Sequence, residues 1–142
     1  MLTVAEQDIF LGCSANSKRK ALEIAAASLV ANGYVTEDYF TSMMDREKAL
    51  STYLGSGVAM PHGTKQGQSM VLKTGFQILQ FPAGVSWGEG KVACLVVAVA
   101  AHNNDHIDVI ADLADLFSDE VKTERLRQIK EIKQFLDILH ER

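Results

Sequence analysis

The sequence specifies an α/β fold in a single domain spanning residues 1–142, with a small set of strands flanked by helices on both faces. Three observations predict it. The run VACLVVAVAA (residues 92–101) has no polar face, as expected of a central strand covered on both sides. Segments with apolar residues at helical spacing stand before and after that run. The chain's 142 residues, 47% apolar and 23% charged, suit one globular core.

Taken in order, FLGC is a short apolar stretch and SKRKALEIAAASLVANG is a helix. Ser17 is its cap, Ala21, Leu22, Ala25 and Leu29 form a stripe, and Asn32-Gly33 supplies a left-handed stop. Thr36 is expected to cap a second helix, with Glu37 and Asp38 in its positive first turn and Tyr39, Phe40, Met43 and Met44 facing inward. GVAM is long enough only for an edge strand, ended by Pro61. Residues 71–81 alternate imperfectly and read as a strand, and Pro82 with AGVSWGEG as a turn-rich connection. After the apolar run, HNNDH is a polar joint, and Ile107, Ile110, Leu113, Ala114 and Phe117 follow at helical spacing. The last helical stretch carries Leu126, Ile129, Ile132, Phe135, Leu136 and Leu139, with a break near Lys130.

Composition excludes several classes. A formal net charge of −4 without a basic cluster argues against nucleic acid as a partner. The longest apolar run is half of the roughly 20 residues a membrane span needs. The first residues lack a signal-peptide pattern, and Cys94 lies inside the apolar run as a small buried side chain, so a reducing cytoplasm is the expected location.

Chemistry concentrates at the joints between elements. In LGSGVAMPHGT (residues 54–64), Pro61 stiffens the approach to His62, and Gly63 leaves room on the other flank for another molecule's backbone or a large anion. His106 opens a helix whose free N–H groups suit a phosphate, with Asn103 or Asn104 as its cap. Arg46, in MMDREKAL shortly before the His62 loop, offers a guanidinium for two parallel hydrogen bonds to a phosphoryl group. Each of the three also has a plain structural reading, as a turn histidine, a first-turn polar residue and an exposed helix arginine. HNNDH spaces His102 and His106 as a zinc pair, but Asn103 stands where a metalloprotease motif needs Glu. Cys13, between a strand and a helix, is weakly placed as a phosphocysteine. His140 reads as a solvated tail residue.

The segments YLGSGVAMPHGT, VLKTGFQILQFPAGVSWGEG and AAHNNDHIDVIADLADLF together resemble the enzyme IIA domain of the bacterial phosphoenolpyruvate-dependent sugar phosphotransferase system. The resemblance is to its mannitol–fructose class and, within that, the mannitol branch. It extends over nearly the whole chain. It implies a mixed five-stranded sheet with helices on both sides. It implies His62 as the phosphorylated histidine, through Nε2, with His106 and Arg46 holding the phosphoryl oxygens. It implies the carrier HPr as donor, a cysteine of a IIB component as acceptor, and neither metal nor other cofactor. One departure is Asp105, where mannitol-branch members often carry Glu; another is that many members are fused to a membrane permease. From this chemistry we expect the second nitrogen of His62 to donate to a backbone carbonyl. We also expect a shallow site, with Val58, Met60 and Ile107 as candidates for an apolar rim. A regulatory module of fructose or nitrogen type, sensing phosphorylation state, is the alternative the same resemblance allows.

Overall fold

The computed structural model describes residues 3–102 and 104–141. One mixed sheet of five strands runs through the centre in the order β1-β4-β5-β3-β2. The strands are β1 (Ile9–Phe10), β2 (Tyr53–Gly55), β3 (Val58–Ala59), β4 (Gly75–Gly88) and β5 (Lys91–Ala100). β1 and β4 are parallel, as are β3 and β5, whereas β4–β5 and β2–β3 are antiparallel.

β5 is the central strand its composition requires. Its alternate side chains divide between two cores. Val96, Ala98 and Ala100 pack with α1 (Lys18–Ala31) and α2 (Tyr39–Ala49) on one face. Leu95, Val97 and Val99 pack with α3 (His106–Leu116), α4 (Glu120–Gln128) and α5 (Ile132–Leu139) on the other. This is the period-2 division of a strand buried on both sides.

The helix signals act largely as read. Ser17 caps α1 by accepting from Lys20 N at 3.1 Å, and Gly33 follows its end at φ +79°. The break near Lys130 separates α4 from α5 through extended backbone at Ile129 and Glu131. Thr36 is not the cap of α2. That helix begins at Tyr39 behind Asp38, and the carbonyl of Thr36 accepts from Tyr39 N, so residues 36–38 form a lead-in turn.

Two strand readings are corrected. GVAM does not lie at the edge: β3 is paired on both sides, to β5 and β2, and β2 takes the edge. Nor is Pro82-AGVSWGEG a connection, because β4 continues through it to Gly88. The proline is tolerated where the register to β5 shifts between Gln80 and Val85, so no ladder bond is lost at its missing N–H. The turn proper is Glu89-Gly90, both at positive φ (54° and 78°), which is the geometry of a two-residue hairpin loop.

Two buried glutamines fasten the layers. Gln77 Oε1 accepts from Ser28 Oγ and Asn32 Nδ2 on α1 (3.0 and 2.8 Å). Gln80, three residues on and therefore on the other face, donates Nε2 to the carbonyls of Leu126 and Ile129 (2.8 and 2.7 Å) at the α4–α5 joint. Buried amides of this kind must be satisfied, and Gln80 also pairs carbonyls left open at the end of α4.

Among the described residues, no helix is long and apolar enough to cross a membrane. α5 is held by Phe135 and Leu139, both fully buried. Phe135→Ala is expected to lower unfolding free energy by about 3–5 kcal/mol, read as a shift of the denaturant midpoint with an unchanged slope.

Candidate functional site

His62 follows β3 through Pro61, whose carbonyl accepts from Val99 N at 2.9 Å and so ties the loop to the end of β5. The ring is only 8% exposed. Its Nδ1 lies 2.9 Å from the carbonyl oxygen of Met60. A carbonyl can only accept, so Nδ1 carries the hydrogen and Nε2 of the neutral ring carries the lone pair. Nε2 has no hydrogen-bond partner among the described residues. It is also absent from the buried polar atoms left unpartnered, which are Gln68 Oε1 and Trp87 Nε1. The ring is therefore clasped at one nitrogen and open at the other.

α2 holds the two amides that follow. Tyr39 Oη accepts from Gly63 N at 2.8 Å and donates to the carbonyl of Val99 at 3.1 Å. Ser42 Oγ accepts from Thr64 N at 2.8 Å. The closeness of this approach is the reason for Gly63. A Cβ there would lie 2.7 Å from both Ser42 Oγ and Tyr39 Cε1. The glycine makes room for a neighbouring helix rather than for an anion, which corrects the reading from sequence.

His106 is brought against His62 by the turn that leaves β5. The ring centroids are 5.1 Å apart with planes at 72°, an edge-to-face arrangement. Asp105 occupies the N-cap position of α3, and its side chain makes no capping bond. The expected cap is corrected accordingly: Asp105 and not Asn104 holds the N-cap position, and Asn103 lies outside the described residues.

Arg46 lies on the last turn of α2, where it donates Nη1 to the carbonyl of Leu50. It is near enough to lower the basicity of both rings. For His62, burial is the main cause of a lowered pKa, with the Arg46 and His106 charges adding to it. The Met60 hydrogen bond and the Glu47 charge oppose. For His106 the causes are burial, then Arg46 and Lys65. Both shifts favour the neutral ring.

Glu47, one residue past Arg46, turns into the protein. Its carboxylate accepts from Thr52 N at 2.7 Å and from the Thr52 hydroxyl, and meets Lys18 Nζ at 3.2 Å. The carbonyl of Thr52 in turn accepts from Met60 N. The residue that holds His62 is thus itself held.

The structure therefore gathers His62, His106 and Arg46, which the sequence separates by as much as 60 positions. It does not gather the expected apolar rim. Val58 and Met60 are core residues at 0% and 1% exposure, and only Ile107, at 79%, stands out beside His106. Cys13 donates to the carbonyl of Phe10, and burial pushes its thiol pKa up, the wrong direction for a thiolate nucleophile. His102 and His140 are exposed, and no group of three or more His, Cys, Asp or Glu placed to hold a metal occurs among the described residues. The sequence marks Tyr39 only as an inward-facing helix residue and does not single out Ser42, Glu47 or Thr52. The available signal was their spacing: Tyr39, Ser42 and Arg46 fall at i, i+3 and i+7 on one helical face.

Comparison with known proteins gives the family and the fold. The family described as phosphoenolpyruvate-dependent sugar phosphotransferase system, EIIA 2, matches residues 3–142. The chain is 40% identical over 141 residues to the mannitol-specific phosphotransferase enzyme IIA component of Bacillus subtilis, covering 99% of each. It is 41% identical to the mannitol-specific EIICBA component of Escherichia coli, taking 98% of this chain but 22% of that one. The IIA mannitol enzyme in the E. coli complex with phosphorylated IIB superimposes with a TM-score of 0.91 at 41% identity, covering 99% of both chains. The chain belongs to the EIIA 2 family of the phosphotransferase system, and the fold is that of a IIA component.

Two outcomes are expected. Gly63→Ala should cost about 1–3 kcal/mol, because backbone and a buried ring must shift; thermal melts and the His62 ring resonances report it. By NMR titration, His62 should bind its proton below the ordinary value of about 6.5. Folding then favours the neutral ring, so its contribution to stability is complete above pH 6.5 and is lost as pH falls through the lowered value.

Proposed function

We propose that the chain is a phosphoryl-relay IIA component in which His62 Nε2 accepts a phosphoryl group from phosphorylated HPr and passes it to a cysteine of a mannitol-type IIB component. The observation that carries the reading is the orientation of His62. Met60 fixes the hydrogen on Nδ1, leaving a lone pair on the open Nε2. The lowered pKa keeps that lone pair available at neutral pH.

In the forward step, Nε2 forms a bond to phosphorus as the donor's nitrogen–phosphorus bond breaks. The donor nitrogen keeps the bonding pair. In the second step a IIB thiolate attacks the same phosphorus and the His62 ring leaves as the neutral imidazole. Such transfer passes through a loose, metaphosphate-like state, so catalysis is a matter of alignment and of charge on three oxygens. Arg46 supplies a guanidinium once it leaves the Leu50 carbonyl, and His106 supplies a ring N–H from 5.1 Å away between centroids. The α3 N-terminus adds backbone donors that no side chain caps. No protein group must move a proton, because the acceptor nitrogen begins unprotonated.

Donor and acceptor must dock at the same ring and leave quickly. Leu50 and Ile107, exposed at 68% and 79% beside the Arg46 contact and His106, suit such a surface. A cleft of about 850 Å³ bordered by Gly12, Gln80, Pro82 and Arg127 plays no part, since none of the three candidate residues lines it. The sugar would be read by the permease, and mannitol is supported by likeness to mannitol components of B. subtilis and E. coli. That likeness also supports relay over a regulatory role.

Incubation with phosphoenolpyruvate and the general phosphotransferase proteins should place acid-labile phosphate on the chain. His62→Ala should carry none, and label on that variant would overturn the assignment. His106→Ala should still be labelled, with transfer to a mannitol IIB domain slower by about 10- to 100-fold.

A further inference from the structure

Thr74 immediately precedes β4, and its hydroxyl bonds to both His102 and Asp105, the residues that lead into His106. It accepts from His102 N at 3.1 Å and lies 2.8 Å from Asp105 Oδ2. The direction of both bonds is forced. A backbone N–H only donates and a carboxylate only accepts, so the hydroxyl takes a hydrogen from one and gives its own to the other. The turn is closed by its own bond from Asp105 N to the carbonyl of His102 at 2.9 Å. Thr74 thus bridges His102 and Asp105 from just before β4, 28 and 31 residues away in sequence.

The carboxylate thereby has a use other than capping. Asp at an N-cap ordinarily accepts from the first-turn amides, whereas Asp105 leaves α3 without a side-chain cap. With its oxygen held by Thr74, those amides stay open beside His106. The turn follows directly from β5, and β4 is the antiparallel neighbour of β5, with Gly75 opposite Ala100. The clasp therefore ties His106 to the same rigid pair of strands that anchors the His62 loop through Val99.

We infer that Thr74 is a positioning residue for phosphoryl transfer, holding His106 against His62 by clasping the turn between β5 and α3. The inference rests on the relay reading of the site. Thr74 touches no reacting atom. It acts through His106, and its bonds are exposed, so losing them slows transfer rather than abolishing it.

The test compares the full chain with Thr74→Val, which keeps the shape and removes the hydroxyl, and Thr74→Ser, which keeps the hydroxyl. Transfer from phosphorylated HPr to the chain, and from it to a mannitol IIB domain, is timed. His62 and His106 ring resonances are recorded with melting curves. Thr74→Val should be slower by on the order of tenfold, with displaced His106 resonances and His62 still the labelled residue, and Thr74→Ser should recover most of the rate. Wild-type transfer by Thr74→Val, a Thr74→Ser variant as slow as Thr74→Val, or unmoved His106 resonances would each overturn the inference. Should the unaltered chain take no phosphoryl group, the relay reading falls instead, and the displacement of the His106 resonances still decides whether Thr74 sets the ring.

Discussion

The hydrogen bond from His62 Nδ1 to the carbonyl of Met60 is the constraint on which the site depends. It decides the tautomer, aims Nε2 outward and holds the ring against the sheet. Much of the surrounding packing secures the two ends of that bond. Met60 N is held by Thr52, Thr52 by Glu47, and Glu47 by Lys18. Past the ring, Gly63 and Thr64 are held by Tyr39 and Ser42. A group that only exchanges a phosphoryl load needs alignment above all, and the fold supplies it by tying the short loop of His62 to the sheet and to α2.

α2 does two jobs with one face. Its first turns grip the backbone after His62, and its last turn carries Arg46. The separation between imidazole and guanidinium is therefore set by the rise of a helix and not by the wandering of a loop. Burial and the Arg46 charge together keep the ring neutral. The positive group proposed to receive the phosphoryl oxygens thus also favours the empty, nucleophilic form of the acceptor.

Much of the fold was legible in the chain. β5 announced itself by lacking a polar face, α1 by Ser17 and Asn32-Gly33, and the α4–α5 break by the loss of period near Lys130. The misreadings have physical causes. Pro82 looked like a strand end because local rules forbid it inside a ladder, and only the register shift to β5 makes room for it. GVAM looked like an edge because a strand of two residues gives no sign of neighbours on both sides. At the site, His62, His106 and Arg46 could be nominated because their chemistry is unusual for their positions. Tyr39, Ser42 and Thr74 were harder to find: the spacing of Tyr39 and Ser42 with Arg46 marks a shared helical face, but a tyrosine and two hydroxyl residues name no partner before tertiary contact supplies one. Gly63 was noticed for the right property and given the wrong beneficiary.

His62 presents a single unpartnered edge to solvent. One edge admits one visitor. On the relay reading, a loaded carrier and an empty recipient cannot occupy the ring together, so each blocks the other and turnover alternates between two half-reactions through a covalent intermediate. Throughput would then be governed by the relative abundance of the two visitors, and an excess of either would slow the traffic it normally serves.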